Sequence, residues 1–374
     1  MKIYFVAGEA SGDTHGAALM QSLRGLAPEC EFHGRGGPRM RAIAGDGFEN
    51  WIDAAAVVGL WEVVKHYRYF RKEFAHALEE IATIKPDAVV LIDYPGFNLR
   101  LASTVRSRAP QAKIIYYISP QVWAWNRGRI VQMARYLDVM LCIFPFEAEL
   151  YNASGLRTIF VGHPMIENLA KRRTGEARDP NLVGLFPGSR SREVKKILPV
   201  LLAAAAEIVA RRPSSRFEIA AASDALAAQI ESGLHASPHR DRIRVVIGDS
   251  SGTMQRAFSG IVASGTATLE SAFFRMPFVL VYKVSWPTYL AGRLMIRTRF
   301  IGMPNVLADR EIVPEFLQHE ARPQPIAEEV LHLMDDSERR AKMIGDFDAV
   351  IASLGETGAS EKAARAILEE LAGS

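Results

Sequence analysis

The stretch "FPGSRSREV" has the residue types of an anion-binding turn. An apolar run ends at Pro187, and Gly188 with Ser189 can turn the chain so that backbone N–H groups point outward at the start of a helix. Arg190 adds a guanidinium that matches phosphate oxygens in a bidentate fashion. The alternative is an ordinary strand-to-helix turn with a capping serine and a solvated arginine.

A second stretch, "VASGTATLE", repeats this order of residue types. Ser264, Gly265 and Thr266 follow an apolar run and precede a helical pattern that carries Thr268 and Glu270. Hydroxyl and N–H groups at a helix start can bind a pyrophosphate, and a carboxylate one turn later can accept hydrogen bonds from a ribose. Two such turns predict a site for a nucleotide diphosphate, although helix capping would explain each turn alone. Neither turn contains a Walker or dinucleotide-binding fingerprint.

Asp93 ends the apolar run of "LIDYPGFNLRLA", where a carboxylate is costly unless it is hydrogen-bonded or functional. Pro95 and Gly96 break the strand into an exposed loop, and Asn98 offers an amide at the start of the next helix. Partial burial would raise the pKa of Asp93 and suit it to accept a proton from an alcohol. Capping of the following helix is the alternative.

The stretch "YYISPQVWAWNRGR" concentrates aromatic and cationic side chains. Trp123 and Trp125, with Arg127 and Arg129, could line a cleft that binds sugars or phosphates. For Trp123, as for Tyr116, packing in the core is the alternative explanation.

Two further stretches combine apolar and basic residues in the manner of a membrane interface. The first is "VGLWEVVKHYRYFRKEF", in which the apolar residues are accompanied by arginines: Val58, Leu60, Trp61 and Val64 beside Arg68 and Arg71. The second is "WPTYLAGRLMIRTRF", residues 286–300. An amphipathic helix packed on the core is the alternative for each.

Composition indicates a globular protein with more than one domain. The chain has 374 residues, and one hydrophobic core seldom exceeds roughly 250–300 residues. Hydrophobic residues make up 49% and charged residues 23% of the sequence, which excludes a disordered or fibrous protein. The net charge of +3 is too small to indicate nucleic-acid binding.

Short apolar runs alternate with amphipathic stretches in both halves, which predicts two sets of buried parallel strands joined by helices. The runs are "KIYFVAG", "DAVVLID", "KIIYYIS", "VMLCIF" and "TIFVGH", then "LVGLFPGS", "RFEIAAAS", "IRVVIGD", "GIVASG" and "FVLVYKV". We predict an N-terminal domain over 1–167, a polar linker over 168–180, a C-terminal domain over 181–350, and a terminal helix over 351–374 that can pack back on the N-terminal domain. Ligands of doubly wound sheets bind beyond the carboxyl ends of the strands, where the residues above fall.

The sequence favours a cytoplasmic protein. Cys30 and Cys142 are the only cysteines and lie far apart, so neither a disulfide framework nor a Cys-x-x-Cys metal site is expected. The N-terminus lacks the apolar region of a signal peptide, and no apolar run reaches the roughly 18–20 residues of a membrane span. The histidines show no metal-ligand spacing, and contact with a membrane surface stays open.

As a set, these motifs resemble the lipid-A-disaccharide synthase family, two-domain glycosyltransferases of the GT-B kind. The resemblance covers essentially the whole chain. It rests on "AGEASGD" at 7–13, "GPRM" at 37–40, "GLWEVV" at 59–64, "IDYPGFNLRLA" at 92–102, "YYISPQVWAW" at 116–125, "FPFE" at 144–147, "VGHP" at 161–164, "PGSRSREV" at 187–194, "ASGTATLE" at 263–270 and "MPNVLADREIVPEFLQ" at 303–318.

The resemblance implies an α/β fold in which two doubly wound, Rossmann-like parallel-sheet domains face each other across a cleft, with C-terminal helices. It implies transfer of a 2,3-diacylglucosamine unit from UDP to the 6-hydroxyl of 2,3-diacylglucosamine 1-phosphate, called lipid X, with inversion and release of UDP. No metal or other cofactor is implied. The partners would be the two lipid substrates and the inner-membrane surface, where the protein is peripheral, but no nucleic acid. Exchange of terminal helices could produce a homodimer.

The resemblance also assigns residues. The essential acid falls on Asp93, which suits a general base, the essential arginine on Arg190, and an important asparagine on Asn305. The other predicted nucleotide contacts are Gly188, Ser189, Glu193, Ser264, Gly265, Thr266, Thr268 and Glu270, of which Glu270 would hold the ribose. The predicted contacts on the acceptor side of the cleft are Glu9, Ser11, Gly12, Asp13, His15, Asn98, Gln121, Trp123 and Arg310.

Two other functions are considered. One is a different GT-B sugar-nucleotide enzyme, such as a peptidoglycan-type glycosyltransferase or a UDP-sugar 2-epimerase, and the other is a lipid or nucleotide carrier. The peptidoglycan enzyme is disfavoured because its opening is of the "GGTGGH" type, where this chain has "GEASGDTHG". We interpret "GEASGD" as a catalytic loop that lines the cleft, and His15 ranks below Asp93 as the base.

Overall fold

The computed structural model describes residues 1–52, 67–125, 128–235, 237–286, 289 and 298–373. The chain folds as two compact units, which we call unit 1, residues 1–167 and 354–374, and unit 2, residues 168–353. Each unit is built on one parallel sheet flanked by helices. This confirms the predicted fold class of two Rossmann-like domains.

Unit 1 contains, in chain order, β1 (Lys2–Ala7), α1 (Ala10–Leu26), β2 (Glu31–Gly36), α2 (Pro38–Ala44), β3 (Phe48–Asn50), α3 (Tyr67–Ile84), β4 (Ala88–Ile92), α4 (Pro95–Arg108), β5 (Lys113–Tyr117), α5 (Val122–Trp125), α6 (Gly128–Met133), β6 (Val139–Cys142), α7 (Pro145–Ala153), β7 (Thr158–Phe160) and α8 (Met165–Ala170), the last of which continues into unit 2. Its last helix, numbered α16 in chain order, is Ala359–Ala372.

The sheet of unit 1 has, within the described residues, seven strands in the order β3-β2-β1-β4-β5-β6-β7. The order reverses between β1 and β4, where Ala7 pairs with Ile92. Every residue of β4, "AVVLI", is buried, as expected for a parallel strand covered on both faces. The reversal is the switch point at which such sheets bind ligands, and it brings the chain after β1 next to the chain after β4.

Three strands carry no apolar run and were not predicted: β2, β3 and, in unit 2, β13. β2 reads "EFHGRG" and contains Arg35, whose side chain is completely buried. Its guanidinium is paired with Glu73 at 2.6 Å, Glu80 at 2.9 Å and Glu49 at 3.2 Å. A charged side chain can occupy a buried strand only when such partners neutralise it. These partners come from other elements, so the periodic pattern of the strand's own residues does not predict them.

The end of the chain belongs to the core of unit 1. Ala363 and Ile367 of α16 pack in one hydrophobic cluster with Leu19 and Leu23 of α1. Glu370 is almost buried and pairs with Lys113 at 3.1 Å and also with Arg157. Helix α16 therefore covers one face of a sheet whose strands lie more than 200 residues earlier in the sequence.

Unit 2 contains β8 (Asp179–Phe186), α9 (Ser191–Arg211), β9 (Arg216–Ala221), α10 (Asp224–Leu234), a 3₁₀ turn (Arg240–Arg242), β10 (Ile243–Ile247), α11 (Ser250–Arg256), β11 (Ala257–Ala263), α12 (Thr266–Phe273), β12 (Phe278–Tyr282), α13 (Met303–Ala308), β13 (Glu315–Leu317), α14 (Pro323–Asp335) and α15 (Ser337–Ser353).

The six described strands of this sheet have the order β10-β9-β8-β11-β12-β13, so the switch point lies between β8 and β11. Phe186 pairs with Val262 there, and the two predicted anion-binding turns follow these strands directly. Asp179 and Pro180, which were predicted as part of the linker, are the first residues of β8, and unit 2 extends to Ser353 rather than to the predicted boundary at 350. A polar strand start explains the first shift, and the continuation of α15 to Ser353 explains the second.

Candidate functional site

Asp93 lies at the switch point of unit 1, immediately after β4. Its φ is +46° and that of Tyr94 is +50°, so two successive residues other than glycine occupy the left-handed region. Such conformations cost about 1–3 kcal/mol each and persist only where the surrounding structure imposes them. Here the Asp93 N–H donates to the Tyr117 carbonyl at 3.1 Å, and the Asn98 amide donates to the Asp93 carbonyl at 2.8 Å.

The environment of Asp93 suits a proton acceptor. Burial raises the pKa of its carboxyl group, the Glu9 carboxylate raises that pKa further, and the Tyr94 N–H opposes the shift. A carboxylate with a raised pKa is a stronger base while it stays ionised at neutral pH. Gly8 is required beside it, because a Cβ atom at that position would lie 2.3 Å from the Tyr94 ring.

The interpretation of "GEASGD" as a loop was wrong. Helix α1 begins at Ala10, so Ser11, Gly12, Asp13 and His15 lie in its first turns. Strand β1 ends at Ala7, one residue earlier than predicted. Glu9 is the N-cap residue in an extended conformation, so α1 begins directly after it.

The structure also corrects the acceptor contact predicted for Asp13. Asp13 is buried, and its carboxylate accepts hydrogen bonds from Gly37 N at 3.0 Å, Arg39 N at 3.0 Å and Met40 N at 2.9 Å. These are the unpaired N–H groups at the start of α2, so Asp13 caps that helix. Glu9 and Ser11 are exposed, Gly12 is buried, and burial lowers the pKa of the half-buried His15.

Two further acceptor-side predictions fall on buried residues. Asn98 is fully buried, and its amide also donates to the Ile92 carbonyl at 3.2 Å, so it positions the turn that carries Asp93. Trp123 is buried and donates from Nε1 to Glu147 at 2.8 Å, which corrects its placement in the cleft and supports the core alternative. Gln121, the residue before α5, is exposed.

Sequence reasoning missed Glu147 as a titratable group. Its carboxylate is buried and accepts hydrogen bonds from Trp123 and from the Phe144 N–H at 3.3 Å. Burial raises its pKa to about 7, against the effect of these hydrogen bonds. The signal was the acid in "FPFE", one turn into a helix at the carboxyl end of β6, although nothing in the sequence shows that it is enclosed.

In unit 2 a cavity of about 480 Å³ lies at the carboxyl ends of the strands. Both predicted turns line it, through Gly188, Ser189, Arg190 and Glu193 on one side and Ser264, Gly265, Thr266 and Glu270 on the other. The structure thus brings together two segments that are more than 70 residues apart in the sequence. A cavity of this size is in the usual range for a small-molecule site, about 300–1,000 Å³.

Glu193 closes over the first turn. Its carboxylate accepts a hydrogen bond from the Ser189 N–H at 3.2 Å and pairs with the Arg190 guanidinium at 3.1 Å. Gly188 has a φ of +110°, and a Cβ atom there would lie 2.6 Å from a Glu193 oxygen. An anion is therefore already bound by this turn, and that anion is the protein's own carboxylate.

The second turn presents the N-terminus of α12. Gly265 has a φ of +138° and precedes the first helical residue, Thr266, and both are exposed. Thr268 is buried and its hydroxyl donates to the Gly265 carbonyl at 2.7 Å, so it supports the turn instead of lining the cavity, which corrects its predicted contact. Burial raises the pKa of Glu270, and the neighbouring Arg172 lowers it.

Several lining residues were not predicted. Ala220 and Ala221 are the last residues of β9 and Ala222 follows them, while Gly248, Ser250 and Met254 follow β10. All lie at or after the carboxyl end of a strand, where the rule used for the predicted residues could have found them. Small apolar side chains carry no chemistry of their own, which is why a search for reactive residue types passes over them.

The structure gives Asn305 and Arg310 roles within unit 2. Asn305 is fully buried; its Oδ1 accepts from the N–H groups of Ile312 and Val313 at 2.8 Å, and its Nδ2 donates to Val313 at 2.7 Å and Glu315 at 2.8 Å. The contacts of Asn305 therefore indicate that it fixes the segment after α13, and its catalytic role stays a prediction. Arg310 forms a two-pronged ion pair with Asp346, at 2.6 and 3.2 Å, and its predicted acceptor contact stays a prediction.

The predicted membrane surface is described only in part. Val58, Leu60, Trp61 and Val64 lie outside the described residues, as does most of 286–300. Arg68 and Arg71 are exposed on α3. In the described part of the chain, no helix combines the length and the hydropathy needed to cross a bilayer.

One group of potential metal ligands occurs among the described residues. The ligand atoms of Glu49, His76 and Glu80 lie within 4.8 Å of one another. Both carboxylates are already paired with the buried Arg35, whose positive charge opposes a cation at this place.

Comparison with known proteins agrees with these features. A model of the lipid-A-disaccharide synthetase family matches residues 3–369. The lipid-A-disaccharide synthase of Myxococcus xanthus is 37% identical over 99% of this chain and 97% of its own length. That of Geobacter metallireducens is 40% identical, with the same two coverages.

Solved structures share the fold at low identity. A UDP-GlcNAc 2-epimerase from Neisseria meningitidis, bound to UDP-GlcNAc, has a TM-score of 0.63 at 11% identity, and each chain covers 100% of the other. The calicheamicin glycosyltransferase CalG4 has a TM-score of 0.61 at 14% identity, covering 100% of this chain and 98% of its own. These likenesses show the two-domain fold, whereas the match over 3–369 shows the family. The chain belongs to the lipid-A-disaccharide synthase family.

Proposed function

We propose that the protein transfers a 2,3-diacylglucosamine unit from UDP to the 6-hydroxyl of 2,3-diacylglucosamine 1-phosphate, giving a β-1,6-linked disaccharide 1-phosphate and UDP. The observation that carries the proposal is the family match over residues 3–369. The curated relatives that it resembles over 99% of its length are named lipid-A-disaccharide synthases. The two sites described above supply the groups that such a transfer needs.

In this proposal Asp93 is the general base. Its carboxylate takes the proton of the acceptor 6-hydroxyl while that oxygen attacks the anomeric carbon of the donor sugar. The bond between the anomeric carbon and the diphosphate oxygen breaks, and its electron pair leaves with UDP. One displacement inverts the configuration, by the logic that governs inverting glycosidases.

The turns of unit 2 would stabilise the departing diphosphate. Ser189 N–H and Arg190 offer donors now bound to Glu193, and the N-terminus of α12 at Thr266 presents further N–H groups. Donors placed where negative charge develops are usually a large contribution to catalysis. We propose that these protein groups perform this role without a metal, and that Glu270 binds the ribose hydroxyls.

We further propose that the enzyme works at the cytoplasmic face of the inner membrane as a peripheral protein. Its substrates carry acyl chains, and α3 exposes Arg68 and Arg71 next to the apolar segment of the sequence. Basic residues beside apolar ones favour anionic lipid surfaces. Flotation with anionic and neutral vesicles tests this part, and sedimentation tests the predicted homodimer.

The activity is tested with the purified full chain, UDP-2,3-diacylglucosamine and lipid X. Released UDP and disaccharide 1-phosphate, identified by mass spectrometry, are the expected products, in the presence of a chelator as well as in its absence. Incubation without acceptor is the control. Conversion of the UDP-sugar without an acceptor would instead indicate an epimerase, and binding without turnover would indicate a carrier.

A further inference from the structure

Unit 1 also contains a cavity, of about 490 Å³, between α3 and α4. Phe70 and Phe74 lie one turn apart on α3 and Phe97 lies on α4, with 5.6 Å between the ring centroids of Phe74 and Phe97. Phe97 is buried, while Phe70 and Phe74 are half-buried. The cavity therefore has an aromatic wall that remains partly open to solvent, with a volume in the range of ligand sites.

Two arginines stand at the edge of this cavity. Arg71 of α3 and Arg100 of α4 are both exposed and both line it. Within the ranges that the structure describes, neither guanidinium has an ion-pair or hydrogen-bond partner. Other arginines of unit 1, by contrast, are paired with carboxylates, among them Arg35, Arg106 and Arg157. Two unpaired guanidinium groups beside an apolar cavity suit a ligand that is both anionic and hydrocarbon-rich.

The cavity adjoins the proposed base. Tyr94 lines it and is the residue directly after Asp93, and the backbone of both is held in the left-handed region. A ligand in the cavity would therefore contact Tyr94, the residue next to Asp93 in the chain. The acceptor carries acyl chains and a phosphate and must place its 6-hydroxyl at that carboxylate.

We infer that the cavity between α3 and α4 receives one acyl chain of the acceptor, and that Arg71 and Arg100 bind its 1-phosphate. The inference rests on the proposed function. It assigns the recognition of the acceptor to unit 1. Of the residues that line the cavity, Phe70, Arg71 and Phe74 lie outside the family motifs quoted above, and the others fall in "IDYPGFNLRLA": Tyr94, Gly96, Phe97 and Arg100. The phosphate of a membrane lipid offers similar chemistry, and the experiment separates the two sources.

Gly96 allows the cavity to be filled without disturbing the fold. It lines the cavity, and no atom lies within 4 Å of a Cβ built at this position. Leucine is also a better helix former than glycine. For Gly96→Leu we expect the KM for acceptors with long acyl chains to rise by about tenfold or more, since each buried methylene is worth roughly fourfold in affinity. The Kd of UDP should not change, and Gly96→Ala is the matched control.

The acceptor itself provides the next control. Short-chain acceptors should show the same KM with Gly96→Leu as with the wild type, because they leave the cavity empty. Equal losses with long-chain and short-chain acceptors would overturn the inference. If the wild type makes no disaccharide at all, the proposed function fails; normal wild-type turnover with an unaffected Gly96→Leu variant contradicts the acyl-chain site alone.

The arginines are tested by the double variant Arg71→Ala, Arg100→Ala. We expect its KM to rise by about tenfold for the 1-phosphorylated acceptor and to stay near the wild-type value for the dephosphorylated one. Lys72→Ala removes an exposed cation of the same helix outside the cavity and should have neither effect. Weaker binding to anionic vesicles, with an unchanged KM in detergent micelles, would assign these arginines to the membrane and overturn the inference.

Discussion

The described strands of the two units have the same order, apart from the additional strand β7 in unit 1, and the two switch points are used in opposite ways. In unit 1 the chain after β4 holds a carboxylate in a half-buried place, with Asp93 and Tyr94 forced into the left-handed region. In unit 2 the chains after β8 and β11 use Gly188 and Gly265 for positive φ values and expose N–H groups and an arginine.

The difference follows the charge that each site has to handle. A base must lose some hydration to become basic, and a rigid, partly buried turn achieves that. A diphosphate needs donors that reach it from several directions, and glycine lets the backbone approach closely. One topology therefore serves a proton acceptor in one unit and an anion cradle in the other.

The strongest test of this contrast is removal of the carboxylate. We expect Asp93→Asn to lower kcat by about 10³-fold, since general base catalysis usually contributes between roughly 10² and 10⁴. Calorimetry should show the same Kd for UDP as in the wild type. Turnover of the variant within tenfold of the wild type would remove Asp93 from the role of base.

The same variant gives a stability measurement with a defined sign. Because the pKa of Asp93 is raised in the folded state, its contribution to stability is present at low pH and is lost as the pH rises through the folded-state pKa. Asp93→Asn should therefore be at least as stable as the wild type at pH 8 in urea denaturation. The wild-type rate should also increase with pH on the acid side, with a midpoint above the usual range of an aspartate.

Removing the cation of unit 2 should have the next largest effect. Arg190→Ala is expected to weaken UDP binding by about tenfold or more and to slow transfer as well, because a charged hydrogen bond contributes about 1.5–3 kcal/mol. Arg190→Lys retains the charge without the fork and should be intermediate. An unchanged UDP affinity in Arg190→Ala would contradict the phosphate contact.

Glu147 tests whether burial of carboxylates is general in unit 1. Its pKa is raised to about 7, so its stabilising contribution is complete below the unfolded-state value and is lost as the pH rises through about 7. The free energy of unfolding should fall by about 1–3 kcal/mol between pH 5 and pH 8 in the wild type. Glu147→Gln should lack this component in urea titrations at several pH values; an unchanged slope would assign it to other groups.

The smallest effect is expected for Glu193 of unit 2. Its carboxylate occupies the Ser189 N–H and the Arg190 guanidinium that a phosphate would use. Glu193→Gln keeps the size of the side chain, weakens this competition, and should tighten UDP binding by roughly 3–10-fold, about 1 kcal/mol. Glu207→Gln, on the same helix and outside the cavity, is the control. Weaker UDP binding in Glu193→Gln would show instead that the carboxylate contacts the ligand.

The sequence predicted most of the fold because buried parallel strands are apolar throughout. It predicted β1, β4, β5, β6 and β7 of unit 1 and β8 to β12 of unit 2 from such runs. It missed β2, whose Arg35 is neutralised by three glutamates from other elements. Long-range pairing of charges leaves no local pattern, so that strand could not be recognised from its own residues.

For the site, the rule that ligands bind after strand ends found both turns of the cavity in unit 2. It could not decide which polar residue faces the ligand and which holds the protein together. Asp13, Asn98 and Thr268 follow strands, yet their side chains are turned inward to backbone groups. The direction in which a side chain points depends on the packing of neighbouring elements, and the residue type alone does not determine it.

The position of α16 has a consequence for synthesis. Part of the core of unit 1 is made of Ala363 and Ile367, which are synthesised after the whole of unit 2. Until then the face of α1 that carries Leu19 and Leu23 lacks its cover, even when the whole of unit 2 has been translated. A premature stop directly before residue 354 would therefore remove part of the core of unit 1, which is translated first, while every residue of unit 2 would still be present.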